Sequence, residues 1–423
     1  MNARIAATTT GASERRGLAR LPGLQAAAWR AALAIASRIR IGSLTVVEPD
    51  GRRHVFGDPS SDRRAEIHVH DRAAALRVVM SGDTGAGEAY MDGQWSSPDI
   101  AALLSLASLN REALSLSGGP LHRLTQLPRT LLHRSRRNTV SGSRKNIAAH
   151  YDLGNDFYRL FLDETMTYSS AVFEKPDQPL AGAQRNKYRL MAQGAGLKPG
   201  MHVLEIGSGW GGFAIYAASE IGCRVTSVTI SKAQRDLAVE RVRAAGLQDL
   251  VDIQLRDYRE IEGTYDAIVS IEMLEAVGAE YYEAFFEACD RALKPGGRLS
   301  LQSIAFPDVA YERQRRGANW IQLYIFPGGL LPSLSVIERS LHRTRLLVSG
   351  VTDIAPSYVL TLREWRSRFM SNLEAVRAQG FDERFIRMWE YYLAISEAGF
   401  ATGLTQDFQL VLEKKRGIEA RPA

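Results

Sequence analysis

The feature that most constrains the fold of this chain is an apolar run that leads into a glycine-rich turn. The run is Val203–Ile206, an apolar helical pattern follows at 213–218, and the turn between them contains Gly207, Gly209, Gly211 and Gly212. Glycine has no Cβ atom, so such a turn can join a strand tightly to a helix and let a ligand approach the backbone closely. The pattern predicts a nucleotide-like cofactor, and a turn without any ligand is the alternative.

The residues around this turn narrow the choice of cofactor. A nicotinamide-dependent enzyme places an acidic residue about 20 residues further on, where it holds the ribose. Here the corresponding stretch, 224–231, contains no carboxylate, whereas Glu205 lies just before the turn. An acidic residue followed by spaced glycines is typical of S-adenosylmethionine methyltransferases, whose ligand has no pyrophosphate. The sequence therefore predicts S-adenosylmethionine as the cofactor.

The composition predicts an ordinary globular protein with more than one domain. The chain has 423 residues, of which 45% are hydrophobic, a length that suits two or three domains. Its two cysteines, Cys223 and Cys289, form neither a disulfide framework nor a metal-ligand cluster, so we expect no metal and a reducing cytoplasm. No apolar stretch approaches the roughly 20 residues needed to span a bilayer, so a soluble or peripheral protein is expected.

The positive charge of the chain is concentrated in one stretch. The net charge is +6, and no acidic residue occurs between Glu112 and Asp152, where seven basic residues lie: Arg123, Arg129, Arg134, Arg136, Arg137, Arg144 and Lys145. This stretch suits an anionic membrane surface, a nucleic acid or a solvated linker. Because no nucleic-acid-reading module accompanies it, we expect a membrane surface and no nucleic acid as the partner.

The chain divides into four predicted segments. They are a flexible tail with an amphipathic helix at 1–38, a small α+β domain at 39–112, a basic linker at 113–143 and a catalytic domain at 144–416. From about residue 200, strands predicted at 202–206, 223–229, 251–255, 265–271 and 298–304 alternate with helical patterns, which predicts a mainly parallel sheet with helices on both faces.

Polar residues recur where the predicted strands end, and there they identify candidate cofactor contacts. Ligands of such sheets bind beyond the carboxyl ends of the strands. Besides the turn glycines and Glu205, the candidates are Thr229, Gln234, Asp257 and Tyr258. We expect Asp257 to accept a hydrogen bond from the adenine amino group and Gln234 to reach a ribose hydroxyl. Glu272 and Glu275 follow the fourth strand, and a role in a solvated loop is the alternative for each residue.

Several segments together resemble the cyclopropane-fatty-acyl-phospholipid synthase family, which includes mycolic acid cyclopropane synthases and related lipid C-methyltransferases. Besides the glycine turn, the matching segments are 150–157, 167–171, 229–234, 275–278, 324–329 and 391–393. The match runs from about 140 to 412, and 39–112 resembles the lipid-binding N-terminal domain of the phospholipid-acting members. The resemblance implies a class I methyltransferase fold, Rossmann-like, with a mainly parallel seven-stranded sheet.

This resemblance also implies a reaction. The methyl carbon of S-adenosylmethionine would be added to the double bond of an unsaturated acyl chain in a phospholipid, which creates a carbocation. Loss of a proton would then close a cyclopropane, the product we expect. The alternative is a 10-methylene or methyl-branched chain formed without ring closure. A non-catalytic lipid-binding protein and a nucleic-acid methyltransferase are the rival classes.

In the family, the base is a bicarbonate held by a cysteine backbone, a glutamate, a histidine, an isoleucine backbone and a tyrosine. The matching positions here are Ser170, Glu275, Gln302, Ile304 and Tyr392, so the cysteine and the histidine are replaced. A serine backbone and a glutamine amide can still donate hydrogen bonds, but the titratable imidazole is lost. The sequence therefore leaves open whether a bicarbonate is bound and whether the reaction closes a ring.

The resemblance supplies the remaining site residues. Tyr151, Tyr168 and Ser169 are cofactor candidates, the last two in a helical lid formed by 145–175. Five aromatic residues are candidates for an acyl tunnel, with core packing as the alternative: Phe157, Trp320, Tyr324, Phe326 and Trp389. We expect a cytoplasmic homodimer that is peripheral at the inner face of the membrane.

Overall fold

The computed structural model describes residues 22–114, 153–315 and 319–417, which form two compact units. The described part of the first unit is 22–114 with 382–398, and that of the second is 153–381 with 399–417. Tyr151 and nearly all of the predicted basic linker lie outside the described residues.

The first unit is a small α+β fold. Its elements are α1 Pro22–Ala36, β1 Ser43–Val47, β2 Arg53–Gly57, β3 Arg64–Val69, α2 Ala73–Met91, β4 Trp95–Ser96, α3 Ile100–Leu109 and α4 Arg111–Leu114. The sheet order is β2-β1-β3-β4, with β1 antiparallel to β2 and parallel to β3. Trp29 and Leu76 pack with Val46 and Val69 in its core, so the sheet buries one face under α1 and α2.

The segment 382–398 belongs to the first unit, although the sequence assigned it to the 144–416 domain. Contacts with distant residues place it there. The Tyr90 hydroxyl donates to Glu390 Oε2 at 2.6 Å, and the Tyr391 ring lies 5.7 Å from that of Tyr90. Arg384 Nε lies 3.0 Å from Asp92 Oδ1. Position in the chain could not reveal these pairs, because about 300 residues separate the partners.

The second unit contains the predicted seven-stranded sheet. Its strands are β5 His202–Ile206, β6 Arg224–Thr229, β7 Val251–Leu255, β8 Tyr265–Ile271, β9 Leu293–Ala305, β10 Leu346–Asp353 and β11 Gln406–Lys414. The order is β7-β6-β5-β8-β9-β11-β10. Strands β5 to β9 are parallel to one another, and β11 runs antiparallel to both β9 and β10. The predicted α/β class is confirmed.

The helices of this unit lie between the strands along the chain. Its α-helices are α5 Asn155–Arg159, α6 Leu180–Ala195, α7 Gly212–Tyr216, α8 Lys232–Ala244, α9 Leu274–Val277, α10 Tyr282–Ala292, α11 Asp308–Gln314, α12 Trp320–Tyr324, α13 Leu334–Ser340, α14 Ala355–Ser371 and α15 Leu373–Ala378. A long helix, α16 Glu383–Ala401, begins in the segment of the first unit and ends in the second. Ser231 caps α8 by accepting a hydrogen bond from the Gln234 amide.

Alternate residues of the central strands fill two separate cores. Leu204 and Ile268 belong to one hydrophobic cluster, and Val203 and Ala267 to the other. Successive side chains of a strand point to opposite faces, so the sheet is buried on both sides. In the sheet, β6 lies on one side of β5 and β8 lies on the other, so the strand order reverses at β5. In open α/β sheets, the crevice at such a reversal of strand order is the ligand site.

Candidate active site

The glycine turn joins β5 to α7 in a backbone conformation that requires glycine. Gly207, Gly209 and Gly211 have φ angles of +97°, +48° and +82°, a region that other residues rarely adopt. Space is also restricted: a Cβ atom on Gly207 would lie 3.1 Å from the Met273 side chain, and one on Gly212 would lie 2.2 Å from the Tyr188 hydroxyl. The turn thus keeps its backbone accessible while the residues around it pack closely.

Glu205 is buried in the sheet directly before this turn. Its Oε2 accepts a hydrogen bond from Ser227 Oγ on β6 at 2.5 Å. Burial raises the pKa of Glu205 to about 8, while the Ser227 hydrogen bond and the Lys187 charge oppose that rise. The carboxyl group therefore ties β5 to β6 beneath the turn, and its predicted contact with the cofactor stays a prediction.

Two predicted residues come together at the end of β6. The Thr229 hydroxyl donates to Gln234 Oε1 at 3.1 Å and accepts from the Ser231 amide at 3.2 Å. Both Thr229 and Gln234 are buried. This chain of hydrogen bonds orients the Gln234 carboxamide at the carboxyl end of the sheet, where a ribose would bind.

Asp257, at the end of β7, has a partner that the sequence analysis missed. Arg259 Nε lies 2.8 Å from Asp257 Oδ1, and an Arg259 terminal nitrogen lies 2.7 Å from Oδ2. The signal was local, because the two residues are only two positions apart. A carboxylate oxygen has more than one lone pair, so the predicted hydrogen bond from adenine is still compatible with this pair.

Tyr258 packs in the core. Its ring lies 5.5 Å from Phe285 in an edge-on arrangement, and the Arg259 guanidinium lies 5.4 Å from the ring centre. Burial raises the pKa of the Tyr258 hydroxyl above its ordinary value. The observed contacts explain the residue by packing, and its cofactor role is untested.

The predicted helical lid is wrong beyond α5, since 160–175 is not helical. The backbone amides of this segment bond to distant side chains instead of to a helical ladder. Ser170 N donates to Glu272 Oε1 at 2.7 Å, and Ala171 N donates to Thr361 Oγ1 at 3.1 Å. The Tyr168 ring packs 5.2 Å from that of Trp365. The segment is thus anchored by tertiary contacts.

Glu272 is the centre of a buried polar network. It follows β8 with a φ angle of +48°. Its Oε1 accepts hydrogen bonds from Ser170 N at 2.7 Å and from Gln302 Nε2 at 2.8 Å. Its Oε2 accepts one from the Tyr358 hydroxyl at 2.7 Å. Three donors from three different parts of the chain therefore hold this carboxylate.

Glu275 lies three residues after Glu272, on α9, and its two carboxyl oxygens differ in their hydrogen bonds. Its Oε1 accepts a hydrogen bond from Ile304 N. Its buried Oε2 has no hydrogen-bond partner in the part of the chain that the structure describes. Burial, with the neighbouring Glu272 charge, raises the pKa of Glu275 to about 8.

The fully buried Asp407 on β11 joins the two partly buried glutamates in what we call the carboxylate cluster: Glu272, Glu275 and Asp407. Burial and the two glutamates raise the pKa of Asp407 well above its ordinary value. The positive charge of Lys187 acts on this cluster. Its Nζ bonds to Ser169 Oγ at 2.7 Å, and burial lowers its pKa to about 8 against the attraction of the carboxylates.

Four of the five predicted catalytic residues meet around this cluster. Ser170, Gln302 and Ile304 donate to it, and Glu275 is part of it. Gln302 is oriented further by Gln409, whose amide donates to Gln302 Oε1 at 3.0 Å. The fifth, Tyr392, is buried in the first unit with its ring 5.3 Å from that of Trp389.

The five predicted substrate residues differ in their surroundings. Phe157 is completely buried, and four aromatic rings surround it at 5.0 to 6.2 Å, so core packing explains it. Trp320 and Tyr324 lie on α12 with ring centres 5.3 Å apart, and Phe326 follows that helix. Trp389 stacks on Phe385 in the first unit. No contact tests their predicted role at the acyl chain.

The described residues contain no group of three or more His, Cys, Asp and Glu side chains arranged to hold a metal ion. Cys223 and Cys289 are buried free thiols. None of the helices in the described ranges is long and apolar enough to cross a membrane.

Comparison with known proteins gives one family. A family model described as mycolic acid cyclopropane synthetase matches residues 138–410. Tuberculostearic acid methyltransferase UfaA1 of Mycobacterium tuberculosis is 41% identical over 378 residues, 87% of each chain. Cyclopropane-fatty-acyl-phospholipid synthase of Escherichia coli is 34% identical over 365 residues, 84% of this chain and 89% of that one.

A solved structure agrees with these sequence relatives. The crystal structure of mycolic acid cyclopropane synthase CmaA1, complexed with SAH and CTAB, is 32% identical with a TM-score of 0.60, and the match covers 64% of this chain and 98% of that one. SAH is what S-adenosylmethionine becomes after methyl transfer. The glycine turn, the strand order and these matches agree, and the chain belongs to the cyclopropane synthase family of S-adenosylmethionine-dependent methyltransferases.

Proposed function

We propose that this protein transfers the methyl carbon of S-adenosylmethionine to the double bond of an unsaturated acyl chain in a membrane phospholipid. The observation that carries the proposal is the position of the carboxylate cluster. Met273, adjacent to Glu272 in the chain, packs against Gly207 of the cofactor turn. The partly buried Glu272 carboxyl group is thus placed next to the turn expected to hold a methyl donor.

This arrangement suits the chemistry of an isolated alkene. An alkene is a weak nucleophile, so the sulfonium methyl group and the double bond must be aligned closely before they react. The product of transfer is a carbocation, which buried carboxylates stabilise because their charge is oriented before the reaction and water is excluded. Glu272, which is partly buried and is held by three hydrogen-bond donors, supplies such charge when ionised.

Two products follow from the same carbocation. If a proton leaves the added methyl group and its electron pair closes a new C–C bond, a cyclopropane forms. If a hydride first moves between the former alkene carbons, loss of the same proton gives a methylene group instead. A saturated methyl branch then requires a separate two-electron reduction. The 41% identity to a tuberculostearic acid methyltransferase favours the product without ring closure, and the 34% identity to a cyclopropane synthase keeps ring closure as the second candidate.

Label transfer tests the proposal. Purified protein is incubated with methyl-labelled S-adenosylmethionine and vesicles of a monounsaturated phospholipid, and we expect the label in the acyl chains. Proton NMR then distinguishes upfield cyclopropane protons from vinylic methylene protons. Label found only in protein, nucleic acid or small metabolites would refute the proposal, as would tight lipid binding without any use of the cofactor.

A phospholipid substrate implies work at a membrane surface. We propose that the basic stretch between Glu112 and Asp152 binds anionic lipid at the cytoplasmic face, where each cation contributes about 1 kcal/mol. Replacement of Arg134, Arg136 and Arg137 by Ala should lower the affinity for anionic vesicles and make that affinity less dependent on salt concentration. Unchanged binding would show that the stretch is a linker that does not bind lipid. The predicted homodimer can be checked by light scattering.

A further inference from the structure

The residues expected to hold a bicarbonate already have other partners. Ser170 N and Gln302 Nε2 both donate to Glu272 Oε1, at 2.7 and 2.8 Å. Ile304 N donates to Glu275 Oε1. Carboxyl groups of the protein therefore accept hydrogen bonds from all three nitrogen donors. A bicarbonate could reach Ser170 N and Gln302 Nε2 only by displacing Glu272, and Ile304 N only by displacing Glu275, so the site does not fit this group.

The charge of the site also opposes a further anion. The negative charge of Glu272 raises the pKa of Glu275, and both glutamates raise the pKa of the buried Asp407. Lys187 is the cation whose charge acts on Glu272, and its Nζ is bonded to Ser169. A bicarbonate beside the ionised Glu272 would add a second negative charge without a further cation and would therefore meet repulsion.

We propose that the Glu272 carboxylate is itself the general base of this methyltransferase, in the place that a bicarbonate takes in relatives. The inference rests on the proposed function. The C–H bond of the added methyl group breaks, its electron pair forms the new C–C or C=C bond, and the proton passes to Glu272. The proton is released to solvent before the next turnover.

The geometry identifies the reacting oxygen. Glu272 Oε1 has two hydrogen-bond donors, so both of its lone pairs are occupied. Oε2 has one donor, the Tyr358 hydroxyl, so it is the oxygen with fewer donors; the Asp407 carboxyl also hydrogen-bonds to this glutamate. The Tyr358 ring is held by stacking on Phe400 at 4.3 Å. We therefore assign the proton to Oε2.

The local backbone and the environment of Glu272 both suit such a role. Its φ angle of +48° is rare for a residue with a side chain, and strained backbone of this kind clusters at active sites. Burial raises the pKa of Glu272, although Tyr358 and Lys187 oppose the rise. A carboxylate with a raised pKa is a stronger base near neutral pH.

Glu275 is less suited to be the base. The Ile304 amide donates to its carboxyl group, and hydrogen bonds from Ser303 and from its own backbone also oppose the rise in its pKa, yet a pKa of about 8 leaves it mostly protonated at neutral pH. Glu272 has three donors and the Lys187 charge to stabilise its ionised form. Of these two glutamates, Glu272 is therefore the one that holds the negative charge.

Bicarbonate dependence provides the test. Turnover is measured in buffer freed of carbon dioxide, with and without added bicarbonate, for the wild type, Glu272→Gln and Glu272→Gly. We expect equal wild-type rates in both buffers and a loss of about 100- to 10,000-fold in Glu272→Gln that bicarbonate does not restore. Glycine tolerates the positive φ and uncovers the donors of Ser170 and Gln302, so bicarbonate should restore activity to Glu272→Gly.

A binding measurement that needs no lipid makes the result independent of the proposed function. Carbon-13 NMR of labelled bicarbonate should show binding to Glu272→Gly and none to the wild type. Calorimetry with S-adenosylmethionine and the melting temperature establish that each variant is folded, and the exposed Glu283→Gln serves as the matched control. A wild type that binds bicarbonate, or whose rate falls tenfold without it, overturns the inference, as does a Glu272→Gln variant with wild-type turnover. Absence of any methyl transfer to lipid by the wild type would instead refute the proposed function.

Discussion

Removing the Tyr358 hydroxyl should shift the pH dependence of methyl transfer to higher pH. This hydroxyl donates to Glu272 Oε2 at 2.7 Å and therefore stabilises the ionised carboxylate. A hydrogen bond to a charged group contributes about 1.5–3 kcal/mol, and one pKa unit corresponds to about 1.36 kcal/mol. In Tyr358→Phe the pKa of Glu272 should therefore rise by about one to two units.

The sign of the effect on activity follows from the role of the base. Glu272 must be deprotonated to accept a proton, so activity is lost as the pH falls through its pKa. A higher pKa moves this acid limb upward by the same one to two units, about 10- to 100-fold in rate at a pH below both values. The Phe ring keeps the stacking on Phe400, so the fold should be retained.

The assay is the pH profile of kcat/KM with labelled cofactor and unsaturated vesicles, measured for the wild type and Tyr358→Phe. Tyr265→Phe is the matched control, because the Tyr265 hydroxyl donates to the backbone oxygen of Glu262 at 3.1 Å and has no contact with Glu272 among the described residues. An acid limb that stays in place in Tyr358→Phe while activity is otherwise retained would refute Glu272 as the base.

Three further substitutions test the construction of the site. Gly212→Ala should lower the affinity for S-adenosylmethionine in calorimetry and the melting temperature, because the new Cβ would lie 2.2 Å from the Tyr188 hydroxyl. Glu205→Gln should remove a pH dependence of stability. The pKa of Glu205 is raised from 4.5 to about 8 on folding, so its contribution is fully present below about pH 4.5 and is lost as the pH rises through about 8. Denaturant titrations across this range should show a decline in unfolding free energy that is smaller in the variant by on the order of a few kcal/mol. Arg259→Met should cost about 3–5 kcal/mol of unfolding free energy, because it leaves the buried Asp257 carboxylate without its cation.

Two of these substitutions have a control variant in the same part of the fold. Gly209→Ala meets no atom within 4 Å, so its effect isolates the strain of a positive φ from a clash. Arg256→Met removes an exposed ion pair with Glu262 and should cost less than about 1 kcal/mol. If Arg259→Met lowers the unfolding free energy no more than Arg256→Met does, the buried ion pair contributes less to stability than expected. A pH dependence that survives in Glu205→Gln would show that another group causes it.

Local sequence patterns were sufficient to predict the bounds of the central strands. The predicted bounds 202–206, 251–255 and 265–271 coincide with β5, β7 and β8. Strands that are buried on both faces appear as continuous apolar runs bounded by turns, so no long-range information was needed. The glycine turn was equally local, since its positive φ angles and close packing require glycine.

Long-range pairing decided the parts that the sequence analysis missed. The predicted lid at 145–175 is not helical after α5 because the amides of Ser170 and Ala171 bond to Glu272 and Thr361, which are remote in the chain. The segment 382–398 belongs to the first unit for the same kind of reason. A local pattern has no access to partners that are 100 to 300 residues away.

The sequence by itself determined the α/β class, the cofactor and the family, because these depend on one turn, on apolar periodicity and on motifs that lie close together in the chain. Only the tertiary structure decided the chemistry around Glu272. Lys187, Tyr358 and Asp407 lie on α6, α14 and β11, and none carries a local signal. Folding brings their charges and donors to the partly buried carboxyl group of Glu272, and its removal from solvent raises the pKa of that group above that of an exposed glutamate.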